Sequence, residues 1–214
     1  MKKIFYLVYT VAVSNIFVGC YSNSLVQSAN TLNPKQSAIT ASFETSRKDP
    51  ETNVYDLPNF GLRHGIANGV ELQAKSNLSS FVELGTKFRL LDETKPYQMA
   101  IGFNIGLVRV PNLFHDNESD NTEILITEKV LTVPVYLSKK INNFTIFGGS
   151  KIGYAVESKE ALVTANLGLA YMLPKTKHHL FLEVYNVQSP RSLNTSYNNL
   201  NRYGMSIGVS LNAF

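Results

Sequence analysis

Apolar and polar residues alternate one by one over long stretches of this chain. In residues 202–214 (R-Y-G-M-S-I-G-V-S-L-N-A-F), Tyr203, Met205, Ile207, Val209, Leu211 and Ala213 form one set, and the positions from Arg202 to Asn212 between them are charged, small or polar. A period of two sends the two sets to opposite faces of an extended strand, whereas a helix would scatter both around its axis. The pattern recurs and predicts ten strands, over 37–46, 60–66, 70–75, 81–90, 97–109, 125–138, 144–155, 161–173, 180–187 and 202–214. Several are longer than the roughly five or six residues of a soluble strand and match the roughly nine to eleven of a tilted membrane-spanning one.

The connections carry their own signals. Residues 47–59, 111–123 and 188–201 are long polar loops (connections one, five and nine), while connections two, four, six and eight are short. Asn68-Gly69 predicts a tight hairpin of type I′, which needs positive φ at both central residues. Pro134 predicts a bulge or a gap in the ladder, because proline has no N–H to donate. The muddled phase around Gly148-Gly149 predicts another bulge.

Glu71, Lys75, Glu83, Lys87, Arg89, Lys151, Glu183 and Arg202 all fall on the polar faces of their strands. If the apolar faces meet lipid, these residues form a packed polar core in a narrow barrel lumen, since Lys or Arg facing lipid at the midplane costs about 2–4 kcal/mol. Gly102, Gly106, Gly168, Gly204 and Gly208 share that inner face, where they relieve crowding or leave a gap. The inverse arrangement is a soluble lipocalin-like barrel with a greasy interior and its charges in water.

Composition agrees with the membrane arrangement. Charged residues make up 17%, below the roughly 25% usual for soluble proteins, yet no segment after the N-terminus is continuously apolar. The net charge of +4 includes Lys2 and Lys3; without them 18 basic residues face 16 acidic ones, leaving +2. That is no nucleic-acid footprint. The single cysteine, Cys20, excludes an intrachain disulfide and a cysteine metal cluster. Residues 1–19 have a basic start and an apolar run interrupted by Ser14 and Asn15, which reads as a cleaved export signal.

The closing strand with its terminal aromatic resembles that of bacterial outer-membrane β-barrels, a family whose last aromatic residue is read during assembly. The resemblance singles out Tyr203 and Phe214 as assembly signals. Phe214 falls in the opposite phase to the apolar set, and a bulge near Asn212 would restore it. Phe17-Val18-Gly19-Cys20 resembles a bacterial lipobox, with Phe17 in place of the usual leucine, which implies cleavage before Cys20 and acylation of its sulfur with a palmitate-type chain. Tyr21 is not the aspartate that retains enteric lipoproteins in the inner membrane, so the implied destination is the outer membrane.

Together these readings imply an all-β, closed, antiparallel up-and-down transmembrane β-barrel of about ten strands, with eight or twelve as alternatives, preceded by an N-terminal signal helix. The expected organisation is a signal peptide (1–19), a lipidated periplasmic tether (20–36) and the barrel (37–214), with both termini periplasmic. The expected partners are membrane lipid, the barrel-assembly and lipoprotein-processing machinery and a surface ligand of unidentified chemistry, with no nucleic acid and no cofactor.

Candidate chemistry is sparse. No phosphate-loop, zinc-protease or serine-elbow motif occurs. His115-Asp116-Asn117-Glu118-Ser119-Asp120 offers an imidazole, a hydroxyl and carboxylates, but its spacing fits no calcium loop and suits a solvated polar loop. His64 reads as an interfacial histidine, and His178-His179 beside Lys175 and Lys177 as a solvated turn able to touch acidic headgroups. Tyr55, Tyr97, Tyr136, Tyr154, Tyr171 and Tyr197 read as interfacial girdle aromatics. The expected role is non-enzymatic, structural or surface-binding, with a narrow solute channel and a lipocalin-like ligand carrier as alternatives.

Overall fold

The computed structural model describes residues 25, 27–47, 55–77, 81–91, 94–111, 125–157, 159–188 and 202–213. They form ten strands: β1 (Ser37–Arg47), β2 (Tyr55–Ala67), β3 (Val70–Ser76), β4 (Phe81–Arg89), β5 (Tyr97–Pro111), β6 (Leu125–Ile141), β7 (Phe144–Ala155), β8 (Glu160–Met172), β9 (His179–Gln188) and β10 (Arg202–Ala213). Each strand pairs antiparallel with the next, and β1 closes on β10, giving an up-and-down barrel. No helix occurs among the described residues. The expected signal helix and Cys20 lie outside them.

The two faces of the wall settle its orientation. Outward residues are large and apolar, such as Leu84, Phe103, Ile152, Leu167 and Ile207, the last two each 59% exposed. Inward residues include Glu71, Lys87 and Glu183, each 0% exposed. This inverts the ordinary soluble arrangement and fits a wall solvated by hydrocarbon, with alternate residues facing the lumen. The lipocalin-like reading, which needed the greasy set inside, is thereby overturned.

Termini and loops sort by end. Ser37 pairs with both His64 and Ala213, so the start of β1, the end of β10 and the β2–β3, β4–β5, β6–β7 and β8–β9 connections share one rim. The β1–β2, β5–β6 and β9–β10 loops share the other.

Several local expectations need correction. β2 begins at Tyr55 and carries Pro58 opposite Phe43, so the first loop is shorter than 47–59. At Asn68-Gly69 the only positive φ is that of Gly69 (76°), and the register shifts between Gly65 and Ala67. The hairpin is therefore not type I′; it turns with one left-handed glycine and an adjacent irregularity. The gap expected at Pro134 does appear in the β5–β6 ladder, between Ile101↔Val135 and Asn104↔Thr132, with no change of register. Gly148-Gly149 makes no bulge, because β7 keeps one register with β6 and with β8 throughout. The β1–β10 ladder runs unbroken from Arg47↔Tyr203 to Ser37↔Ala213, so no bulge near Asn212 rephases the chain end. Phe214 itself lies outside the described residues.

The inner glycines fill a packing role. Phe147 covers Gly168, Tyr185 covers Gly204 and Phe181 covers Gly208, so closely that an added Cβ would collide with each ring. Rings laid over glycines of the neighbouring strand fill the space that the missing side chains leave.

Candidate functional site

Strand parity places Arg63 (β2), Glu71 (β3) and Lys87 (β4) on adjacent strands facing the lumen, with Glu71 directly opposite Lys87 in the ladder. Glu71 accepts from both Arg63 Nε and NH2 at 2.8 Å and lies 3.1 Å from Lys87 Nζ. A second pair crosses the lumen, Lys151 Nζ donating to Glu83 Oε2 at 2.7 Å, while Asn104 Nδ2 donates to Glu83 Oε1 at 2.8 Å. Glu44 accepts from Asn59 Nδ2 at 2.9 Å, and Glu183 from Asn166 Nδ2 at 2.6 Å. Lys75 lines a cavity of about 40 Å³ together with Glu83 and Lys151, room for a few waters at most. Across the middle of the lumen, four cations (Arg63, Lys75, Lys87, Lys151) balance four anions (Glu44, Glu71, Glu83, Glu183).

The segment expected to be a tether lies inside this network. Leu25 N–H donates to Glu183 Oε1 at 2.7 Å, Ala29 N–H to Ser138 Oγ at 3.3 Å and Leu32 N–H to Glu71 Oε2 at 3.0 Å. Lys87 Nζ donates to the carbonyls of Ser28 and Asn30 and to Gln27 Oε1, and Arg63 NH2 donates to Asn30 O. Gln27 Nε2 reaches Gln73 Oε1 (2.6 Å) and Tyr136 OH (3.1 Å); Gln73 in turn donates to Asn104 Oδ1. The segment is thus wired through Gln73 and Asn104 to the Glu83–Lys151 pair. Leu25, Ala29, Ala100 and Tyr136 form a small apolar cluster around it.

One glycine makes room for the segment at the rim, whereas Gly149 is required first by the Val135 carbonyl of β6, with Leu25 Cδ1 3.3 Å from where its Cβ would be. At the rim, residues Asn33 to Gln36 turn back with Lys35 at φ 68°, and Gln36 N–H donates to Asn33 O. Lys35 N–H donates to Gly65 O and Gly65 N–H to Gln36 O, and a Cβ on Gly65 would collide with the Asn33 carbonyl. A tether outside the barrel would leave the buried Glu71, Lys87 and Glu183 without these backbone partners. Charges held away from water require such hydrogen bonds, and this draws a polar, irregular segment inward.

The remaining expected site residues fall elsewhere. Arg89 is half-buried beside Gly69 at the short-turn rim. Arg202 opens β10, but its side chain lies outside the description. Tyr203 is outward and exposed. Tyr136, expected in the girdle, is 2% exposed and points into the lumen; its even number shares the inward phase of Thr132 and Ser138. Tyr97 and Tyr154 do face outward, and Tyr171 packs on Phe144 with ring centroids 4.9 Å apart. His64 is exposed, its Nδ1 2.9 Å from Ser37 Oγ. The His115–Asp120 cluster and Tyr197 lie outside the described residues. Tyr136 and the segment 25–36 are the partners that the sequence reading of the lumen missed.

No protein-family model matches this chain, and no curated protein matches it. Solved structures do match. An outer membrane channel from Pseudomonas putida F1 is 8% identical, with 91% of this chain and 100% of that chain covered at a TM-score of 0.51. The outer membrane protease OmpT from Escherichia coli (9% identity, 87% and 100% covered, TM-score 0.46) and the N-terminal β-barrel domain of Pseudomonas aeruginosa OprF (9% identity, 85% and 100% covered, TM-score 0.44) also align. At these identities the likeness is one of fold.

Proposed function

We propose that this chain is a non-enzymatic barrel of the bacterial outer membrane whose lumen is sealed by its own N-terminal segment and whose working surface is the long-loop end. The short turns, the start of β1 and the end of β10 then face the periplasm. The observation that carries this reading is the occupied lumen: backbone groups of residues 25–32 saturate Glu71, Lys87 and Glu183, the charges that would otherwise line a conduit. Groups tied up with one another in this way favour closure over permeation. In this reading Cys20 carries an acyl anchor, added by lipoprotein-processing enzymes, and the barrel-assembly machinery inserts the strands.

The test is conductance across planar bilayers. The intact protein gives no steady single-channel current, whereas a variant lacking residues 25–36 shows discrete openings. Steady conductance by the intact protein refutes the sealed-lumen reading. Palmitate labelling that disappears in Cys20→Ala supports the anchor; labelling that persists rejects it.

A further inference from the structure

The segment fills the lumen unevenly. Residues 30–36 lie against β2 and β3, and beside them, at the short-turn end, a vestibule of about 430 Å³ remains, within the size range of small-molecule sites. Its floor is apolar, formed by Phe147, Ala170 and Phe181, which pack as one buried cluster. Its rim carries Arg63, Lys95, Lys140 and His179, and no described carboxylate lines it. With the lumen ions beneath it in balance, Lys95 and Lys140 give the vestibule two positive charges with His179 neutral, and neither lysine ion-pairs with a described residue.

A second observation points to a missing occupant. Thr31 lines the same vestibule, is more than nine-tenths buried, and its hydroxyl has no hydrogen-bond partner among the described residues. A buried hydroxyl left unsatisfied is costly, so it marks a place for a ligand or an ordered water. The guanidinium of Arg63 is committed to Glu71, which leaves ammonium groups as the available point charges. Ammonium groups suit a phosphate, for which no planar two-pronged donor is required.

We propose that this vestibule binds a phosphate-bearing small molecule, with the phosphate held by Lys95, Lys140 and Thr31 and the organic part resting over Phe147 and Phe181. Such a group reaches the rim either as a soluble phosphate ester or as the headgroup of an anionic phospholipid. The inference rests on the vestibule's geometry and stands whether or not the lumen conducts.

The experiment titrates the intact protein, in neutral detergent micelles, with inorganic phosphate and with glycerol phosphate by calorimetry. Saturable binding is expected, tighter for glycerol phosphate. Lys95→Gln with Lys140→Gln weakens it at least tenfold, Lys95→Arg with Lys140→Arg preserves it, and Thr31→Val weakens it less. Lys129→Gln, at the other end of the barrel, leaves it unchanged. Heat-modifiable gel migration checks that each variant is folded. Repeating the titration in phosphatidylcholine nanodiscs with and without phosphatidylglycerol distinguishes the sources: competition by the anionic lipid assigns the site to a headgroup, and its absence to a soluble ester. No saturable binding of either probe, or equal binding by the double glutamine variant, overturns the proposal.

Discussion

Glu71→Gln tests the lumen network most directly, because it changes charge at nearly constant shape. In the intact protein this carboxylate is fully buried and holds Arg63 at 2.8 Å, Lys87 at 3.1 Å and the Leu32 N–H at 3.0 Å. Neutralising it leaves two cations facing each other in the lumen, Lys87 with no exposure to water. Removing one member of a buried ion pair costs about 3–5 kcal/mol, most of it the penalty for the charge left behind. Here two cations lose one shared partner, which places the expected loss toward the upper end of that range. The chain has no tryptophan, so urea unfolding from vesicles is followed by circular dichroism and gel migration. With a slope of about 2–3 kcal/mol per molar, the midpoint falls by about 1.3–2.5 M. Adding Lys87→Met recovers part of the loss. A midpoint shift worth less than about 1 kcal/mol, or no recovery in the double variant, refutes the claim that this triad is a coupled buried unit.

Other expectations follow from the same geometry. Gly65→Ala drives a methyl into the Asn33 carbonyl and releases the rim turn, so hydrogen exchange at Lys35 and Gly65 accelerates and limited proteolysis cuts within 25–36 while the strands stay protected. Tyr136→Phe removes a hydroxyl shared by Gln27 and Gln73 and costs about 1 kcal/mol in the intact protein but less once residues 25–36 are deleted, a difference read by a double-mutant cycle. The Glu157 carboxyl, in the β7–β8 turn, is held below its usual range, first by the Lys129 backbone N–H that donates to it at 2.7 Å. A depressed folded pKa gives stability that is present above the unfolded value of about 4.3 and lost as pH falls through the folded value. The protection of the Lys129 amide, corrected for its intrinsic rate, therefore falls as pH drops through that lowered value, and Glu157→Gln abolishes the dependence.

The wall was legible because a strand writes its two faces into alternate residues. All ten strands and the short-turn end could be read that way, and so could the inward phase of Glu71, Glu83, Lys87, Lys151 and Glu183. Tyr136 is legible too, by parity with Thr132 and Ser138, although its place near a strand end suggests the girdle. The lumen's occupant was not legible. Residues 25–36 have no periodicity, and they are gripped largely through the N–H groups of Leu25, Ala29 and Leu32 and the carbonyls of Ser28 and Asn30, which every residue type possesses. Gly65 carried a faint trace of it as a missing side chain, which cannot be told from a bulge or packing glycine without coordinates.

The occupied lumen bears on the order of events during biogenesis. The closing seam joins Ser37 to Ala213, the most distant pairing along the chain, and Ser37 directly follows the segment that ends up within the cylinder. Either the cylinder zips shut around a thread already in place, or Leu25 is drawn in afterwards through the short-turn mouth, leading its own strand. In the first case every substitution that loosens the thread also delays closure; in the second, a hollow, water-filled intermediate precedes the mature protein.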